Sequence, residues 1–200
     1  MFAERRLPTQ MAGFTLLELM VTLTIAAILL TVGVPGLTTF IANNRMVGQV
    51  NSMVGLLNAA RVEAIAQRRT VTVCGSADGM TCNGGWSATW LAFIDRDGDG
   101  VIDVSVPAVA TDDVVIRSVQ VPTTLNVALL PNTKTTVQFN AQGFSADGAG
   151  ATFRFCDGRG NTFARGSILL ASGRIAVATD TNSTKDNIVN GHDNANLACP

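Results

Sequence analysis

The stretch that decides the fold reads Gly13-Phe14-Thr15-Leu16-Leu17-Glu18-Leu19-Met20 and continues as an apolar run to Val34-Pro35. This run is about as long as the ~20 residues that cross a bilayer as a helix. Glu18 places a carboxylate inside it, where an ionisable group is costly and so a functional candidate. A secretory signal is the alternative, but its apolar core is short and ends in a small-residue cleavage site. Here the run is longer and ends at Pro35-Gly36, which predicts a retained membrane span.

Basic residues flank the span unequally. Arg5 and Arg6 precede it, and no Lys or Arg follows before Arg45. Because positive residues concentrate on the cytoplasmic side of a membrane, we expect the N-terminus in the cytoplasm. The rest of the chain would then lie on the periplasmic side of the inner membrane, attached by a single span.

The same segment resembles the N-terminus of type IV prepilins, over roughly residues 8 to 36. The family pattern is a basic leader ending in Gly, then Phe, then Thr-Leu-Leu/Ile-Glu, and Gly13, Phe14 and Glu18 occupy its defining positions. Pro35 falls where such pilins have a helix-distorting proline. The resemblance implies cleavage between Gly13 and Phe14 by a prepilin peptidase, then N-methylation of Phe14. An ordinary membrane anchor with a chance glutamate is the alternative.

Glu18 is the expected assembly residue. A carboxylate in hydrocarbon needs a cation or hydrogen-bond donors. The α-amino group that cleavage creates on Phe14 would supply that charge from a neighbouring subunit. Neutralisation of this kind would fix the axial register of helices in a filament.

The four cysteines, Cys74, Cys82, Cys156 and Cys199, predict disulfides, since an even count is typical of exported domains. Sequence alone allows three pairings. We expect Cys74–Cys82, which closes a small loop, and Cys156–Cys199, which attaches the C-terminal tail to a strand. Zinc is the alternative, but the spacings are not those of a CxxC site and His192 is the only histidine.

The rest of the chain predicts a helix followed by β-strands. Apolar residues recur every three or four positions, which traces one helical face: Met46, Val50, Met53, Leu57, Ala60 and Ala64. Turn-bounded apolar stretches predict strands at 71–74, 90–94, 114–121, 125–130, 135–139, 152–156, 168–171 and 174–178. The tail from Thr179 to Pro200 reads as irregular.

These elements give an α+β protein with four parts, and the long helix before antiparallel strands is also the layout of the type IV pilin fold. A leader peptide covers 1–13, a transmembrane helix 14–36, an amphipathic helix half 37–69, and a β-rich domain 70–200. The length of 200 residues suits one modest domain beyond the anchor.

A second, more diffuse resemblance covers most of the chain. The stretches 60–66 and 71–74, the strand from Trp90 to Asp97, Phe139 to Gly143, and Gly173-Arg174-Ile175 resemble the GspH/FimT pilin family. This resemblance implies a minor pilin of the FimU and FimT kind, with other minor pilins and the major pilin as partners in a complex that primes assembly and caps the fibre. A type II secretion minor pseudopilin is the alternative; those more often lack such cysteine pairs.

The acidic string from Asp95 to Asp103 is the candidate metal site. Asp95, Asp97, Asp99 and Asp103 follow the first half of a calcium loop, in which alternate carboxylates converge on a hard cation. Val106 stands where the bidentate glutamate is expected, and strands rather than helices flank the loop. We therefore expect an acidic hairpin turn without a cofactor, and a weak calcium site is the alternative.

DNA binding and catalysis are the remaining classes. Some FimT-type pilins take up DNA through a Gly-Arg-x-Arg stretch, and Gly173-Arg174-Ile175-Ala176 keeps one of its two arginines. Arg154, Arg159 and Arg165 could join Arg174, but phosphate affinity scales with the number of cations and the net charge is −1, so a solvated face is expected. The sequence has no G-x-S-x-G, histidine pair or phosphate loop, and we do not expect an enzyme.

Overall fold

The structure, a computed structural model, describes residues 13–103, 112–131 and 134–200. The leader before Gly13 and the position of Val106 therefore lie outside the described residues. The chain divides into two compact units, one ending at Asn43 and the other formed by Asn44–Pro200. Helix α1, Leu16–Gln67, is the first element.

The part of α1 within the first unit is apolar and exposed. Of the described helices, α1 alone is long and apolar enough to cross a membrane. Threonine hydroxyls in this part donate to carbonyls three or four residues earlier: Thr22 to Leu19, Thr24 to Met20, and Thr31 to Ile28. These bonds satisfy polar groups that a bilayer cannot solvate. Pro35 lies inside the helix, where it removes one backbone donor.

The part of α1 within the second unit is amphipathic. All six residues of the predicted apolar face, Met46, Val50, Met53, Leu57, Ala60 and Ala64, are buried, which confirms that face. Leu56 is buried as well, so the face is wider than the single row predicted. Burial of one leucine or methionine side chain contributes about 1.5–3 kcal/mol, and this face therefore holds the helix on the β-domain.

In the second unit, the described residues form eight strands in two antiparallel sheets, and the part of α1 in that unit packs on them. The first has the order β3-β2-β1-β5, with β1 at Thr70–Ser76, β2 at Thr89–Asp95, β3 at Val114–Gln120 and β5 at Thr136–Phe139. The second has the order β4-β6-β7-β8, with β4 at Asn126–Leu130, β6 at Ala151–Cys156, β7 at Arg165–Leu169 and β8 at Ile175–Val177. A short 3-10 helix, Asn161–Phe163, precedes β7.

The two sheets and the helix share one core. Edge-to-face aromatic pairs contribute to it, with ring centroids 5.0 Å apart for Trp86 and Phe153 and 5.9 Å apart for Trp90 and Phe155. The second pair joins β2 of the first sheet to β6 of the second. A long helix on two antiparallel sheets is the α+β pilin architecture that the sequence predicts.

Strand β7 begins and ends earlier than its predicted range of 168–171. Glycine usually weakens a strand, but Gly166 lies inside β7. A Cβ at this position would lie 2.8 Å from the Leu197 side chain and 3.0 Å from that of Ala178. Glycine here lets the C-terminal tail cross the strand. Leu170 instead belongs to a turn, because its carbonyl accepts from the Gly173 amide at 2.8 Å.

The tail from Thr179 to Pro200 forms no named helix or strand, but it has many hydrogen bonds. The Asn190 side chain is buried and accepts from the Thr181 and Asn182 amides at 2.7 and 3.0 Å. Its amide group donates to Asn196 Oδ1 at 2.8 Å. Asparagine side chains thus supply the partners that a strand ladder would otherwise provide.

Candidate functional site

The N-terminal motif forms the start of α1. Gly13, Phe14 and Thr15 precede the helix, and Thr15 caps it, because its Oγ1 accepts from the Glu18 amide at 3.2 Å. The Thr15 carbonyl accepts from Leu19 at 3.1 Å. The Gly13–Phe14 bond therefore lies in non-helical chain just outside the first turn. Sequence reasoning missed this cap, although a threonine three residues before a glutamate is its usual signal.

Gly13 has no packing role in the described structure. A Cβ at this position would meet no atom within 4 Å, and Phe14 is 81% exposed. The fold does not require glycine here, so any requirement for it must come from a partner that handles this segment.

Glu18 lies on the exposed surface of the first helical turn. A carboxylate in this turn suits the helix macrodipole. Within residues 13–103, 112–131 and 134–200, its carboxylate makes no hydrogen bond or ion pair. None of the described residues therefore supplies a positive charge to this carboxylate.

The disulfides attach two loops to the sheets. Cys74 of β1 bonds to Cys82 with an S–S distance of 2.05 Å, and Cys156 of β6 bonds to Cys199 at 2.03 Å. No cysteine remains free. Within the smaller loop, the Asp78 carboxylate accepts from the Thr81 hydroxyl and from the Met80 and Thr81 amides. These bonds, the Thr81 hydroxyl first, hold the pKa of Asp78 well below its usual range.

Three of the stretches that resemble the GspH/FimT family meet at one contact. Arg61 of α1 donates through Nε to the Gly143 carbonyl at 2.8 Å and through Nη2 to the Ser172 carbonyl at 3.5 Å. Gly173 has a φ of +75°, and a Cβ there would lie 1.8 Å from the Gly143 carbonyl oxygen. These residues therefore hold two loops against the end of the helix, a structural role that no spacing in the sequence indicates.

The acidic loop is organised around Asp95. Its carboxylate is buried and accepts four hydrogen bonds at 2.6–3.1 Å, from the Thr72 hydroxyl, the Gln138 amide group and the Gly98 and Gly100 backbone amides. Ligand oxygens of Asp95, Asp97 and Asp99 lie within 4.8 Å of one another. Asp103 is outside that group, and burial, followed by repulsion from Asp99 and Asp97, raises its pKa.

The hydrogen bonds of Asp95 favour the hairpin interpretation. Its two oxygens already serve as the acceptor that closes the loop, and Asp113, another carboxylate, accepts from the Arg96 and Asp103 amides at 2.9 and 3.1 Å. Asp113 was not among the predicted site residues, because its sequence position gives no signal. Carboxylates that replace missing strand hydrogen bonds account for the acidic composition of the turn.

We expect calcium to leave the melting temperature unchanged. A site with a dissociation constant of about 0.1–1 mM, the range of extracellular modules, would add about 1.4–2.7 kcal/mol at 10 mM calcium. Differential scanning fluorimetry with calcium, with magnesium as the control, measures this directly. A calcium-specific increase that Asp97→Ala removes would contradict the expectation.

The four arginines considered for DNA do not all lie on one surface. The strand register places Arg154 of β6 opposite Gly166 and Arg165 of β7 opposite Phe155. Because these two pairs are consecutive along the strands, the two arginine side chains project from opposite faces of the sheet. Arg159 forms an ion pair with Asp157 and lies 4.3 Å over the Phe163 ring. Arg174 is exposed in the turn before β8.

Comparisons with known proteins agree with this architecture. Residues 49–182 match the family model described as type II transport protein GspH, and residues 9–34 match the prokaryotic N-terminal methylation motif. A comparison with curated proteins gave no match.

The fold is similar to that of a solved structure of FimU, a type IV minor pilin of Pseudomonas aeruginosa PAO1, and a second crystal form of FimU matches less well. The crystal form in space group P21 has 21% identity and a TM-score of 0.50, covering 73% of this chain and 95% of that chain. The P65 form has 20% identity and a TM-score of 0.47, covering 68% and 92%. Because the GspH model alone spans more than half of the residues, the chain belongs to the GspH family of type IV pilin-like proteins, non-enzymatic minor pilins of type IV pili and type II pseudopili.

Proposed function

We propose that this chain is a minor pilin of a type IV pilus, and that it joins other minor pilins in the complex that primes assembly and caps the fibre. The observation that supports this most is the first unit. It is an exposed apolar helix with one uncompensated carboxylate, preceded by a non-helical Gly13–Phe14 bond. Such a surface needs a bilayer first and other apolar helices afterwards.

Each stage of the proposed route uses a feature of the chain. The helix would hold the precursor in the inner membrane with the β-domain in the periplasm. A prepilin peptidase would cut after Gly13, and methylation of Phe14 would follow. The Phe14 amine of a neighbouring pilin would then neutralise Glu18, while apolar helix surfaces pack together.

A pilus is favoured over a secretion pseudopilus by the two disulfides. They attach both a surface loop and the tail to the sheets, which suits a domain that remains outside the cell at the end of a fibre. Disulfides persist both in the periplasm and outside the cell, so the preference rests on the resemblance, since GspH-type pseudopilins more often lack such cysteine pairs.

Deletion of the chain should abolish or greatly reduce surface pili, and wild-type complementation should restore them. Immunogold labelling with antibodies against the β-domain should mark one end of sheared fibres. Labelling along the whole fibre would contradict a tip position. Normal pili combined with a loss of protein secretion would instead identify a pseudopilin.

A further inference from the structure

Strand β8 leaves one edge of the second sheet open. Its inner edge bonds to β7 through Ala178 N–H to the Gly166 carbonyl at 2.8 Å and through Leu170 N–H to the Arg174 carbonyl at 2.9 Å. Antiparallel bonds involve alternate residues, so the N–H and C=O groups of Ile175 and Val177 point away from β7. Within the described chain these groups have no hydrogen-bond partner, and Val177 is 51% exposed.

Two of the other outer edges, those of β4 and β5, are better covered. The Ser87 hydroxyl occupies the outer edge of β4, accepting from the Val127 amide and donating to the Val127 carbonyl. The segment after β5 folds back on that strand, with a bridge between Phe139 and Ser145. Among the described residues, the outer side of β3 also has no strand partner.

A largely apolar groove of about 360 Å³ lies beside β8, between the strand and the part of α1 in the second unit. Its walls include Val47 and Val50 of the helix, Val177 and Val189. Arg165 also lines it, and its guanidinium donates to the Ala164 carbonyl at 2.9 Å.

The groove contains one unsatisfied polar atom. Asp180 Oδ2 accepts from the Asn187 amide at 2.9 Å, but Asp180 Oδ1 is buried without a hydrogen-bond partner. A buried acceptor without a partner is unfavourable. A bound group with a donor at this position would remove that cost.

We propose that β8 and this groove form a docking site for an extended strand of another pilin subunit. The strand would add to the free edge through the Ile175 and Val177 backbone groups. An aliphatic side chain would enter the groove, and a Lys or Arg two residues away, on the same face of the strand, would reach Asp180 Oδ1. Backbone bonds then give affinity and the groove gives specificity.

This proposal rests on the proposed function, because that function supplies the partner class, but it concerns a surface separate from the membrane helix. An open edge alone would accept any strand. The aliphatic walls and the unpartnered carboxylate oxygen select one with alternating apolar and cationic residues. A carboxylate placed beside Asp180 Oδ1 would bring like charges together. Arg165, the cation that also lines the groove, directs its Nη1 to the Ala164 carbonyl.

The test uses the full-length chain in lipid nanodiscs and the peptide acetyl-Thr-Lys-Thr-Val-Thr-Lys-Thr-amide, which is symmetrical so that either strand direction can bind. Saturating peptide should slow hydrogen exchange of the Ile175 and Val177 amides by about tenfold or more. The matched peptide with both lysines replaced by glutamate should bind at least about tenfold more weakly.

Two protein variants localise the effect. Val177→Pro removes an outward N–H without breaking a β7–β8 bond, as edge strands tolerate, and should abolish binding, whereas Val177→Thr should retain it. Asp180→Asn should reduce the preference for lysine over glutamate to about twofold.

Three results would overturn the proposal: no binding at about 5 mM peptide, equal binding by Val177→Pro, or protection of the β3 amides in place of those of β8. Because labelling of fibre tips does not depend on this peptide, failure here would leave the proposed function standing. Loss of tip labelling would count against the proposed function and its choice of partner, whereas peptide binding would still report on the β8 surface itself.

Discussion

Gly13→Val is expected to leave the precursor uncut. A Cβ at Gly13 meets no atom within 4 Å, so the substitution does not disturb the folded chain. The Gly13–Phe14 segment lies outside the first helical turn. The active site of a peptidase can therefore bind it as extended chain. A β-branched side chain next to the scissile bond would then crowd the peptidase.

Mass spectrometry of the membrane-associated chain distinguishes the precursor from a product that begins at methylated Phe14. Gly33→Val is the matched control, since a Cβ at Gly33 also meets no atom within 4 Å and the residue is far from the bond. The control should be cut at the wild-type rate. Normal cleavage of Gly13→Val would show that the motif is not recognised through this glycine.

Glu18→Ala should separate processing from assembly. The Thr15 hydroxyl bonds to the backbone amide of residue 18 and not to its side chain, so the cap survives and cleavage should proceed. Incorporation into fibres should fall steeply, because the Phe14 amine of a neighbour would lose its counter-charge in an apolar setting. Glu18→Gln tests whether hydrogen bonding alone suffices. Wild-type incorporation of Glu18→Ala would contradict the assembly role.

The features predictable from sequence were those that depend on local periodicity. The steps from Met46 to Ala64 fix one helical face, since a helix repeats every 3.6 residues, and each of those side chains is buried. The range predicted for β7, 168–171, leaves out Gly166, which lies inside the observed strand. Glycine is required at position 166 because the side chain of Leu197, thirty-one residues later, lies directly against it.

The contacts that determine the sites are long-range, which is why sequence reasoning found the residues but not their roles. Arg61 meets Gly143 across eighty-two positions, and Asp95 meets Gln138 across forty-three. A DxDxDG spacing is the same whether its first carboxylate binds a cation or accepts amides from its own loop. The groove beside β8 likewise joins Val47 to Val189, and no local pattern relates them.

Replacing both Cys156 and Cys199 with serine is expected to release the C-terminal tail and lower the melting temperature by about 10 °C. The bond spans 43 positions, and closing a loop of that size contributes about 3–4 kcal/mol in the chain-entropy model, which corresponds to roughly 2–4 °C per kcal/mol for a chain of this size. Substituting both cysteines avoids a free thiol that could form a new bond.

Once that disulfide is gone, the last residues of the tail keep a few attachments to the second sheet. Arg154 donates to the Ala198 carbonyl at 2.6 Å, the Cys199 amide donates to Asn161 Oδ1 at 2.7 Å, and Leu197 is buried. Each such hydrogen bond contributes about 1 kcal/mol. Trypsin should therefore cut after Lys185, an exposed residue of the tail, much faster in the variant than in the wild-type chain.

The matched control is the corresponding double replacement of Cys74 and Cys82. That bond spans 8 positions, so its removal should cost about 2.5 kcal/mol and leave cleavage at Lys185 unchanged. Thiol titration of the denatured, non-reduced wild-type chain should find no free thiol. Equal trypsin sensitivity of the two variants would mean that the Asn190 network and Leu197, and not the disulfide, hold the tail against the second sheet.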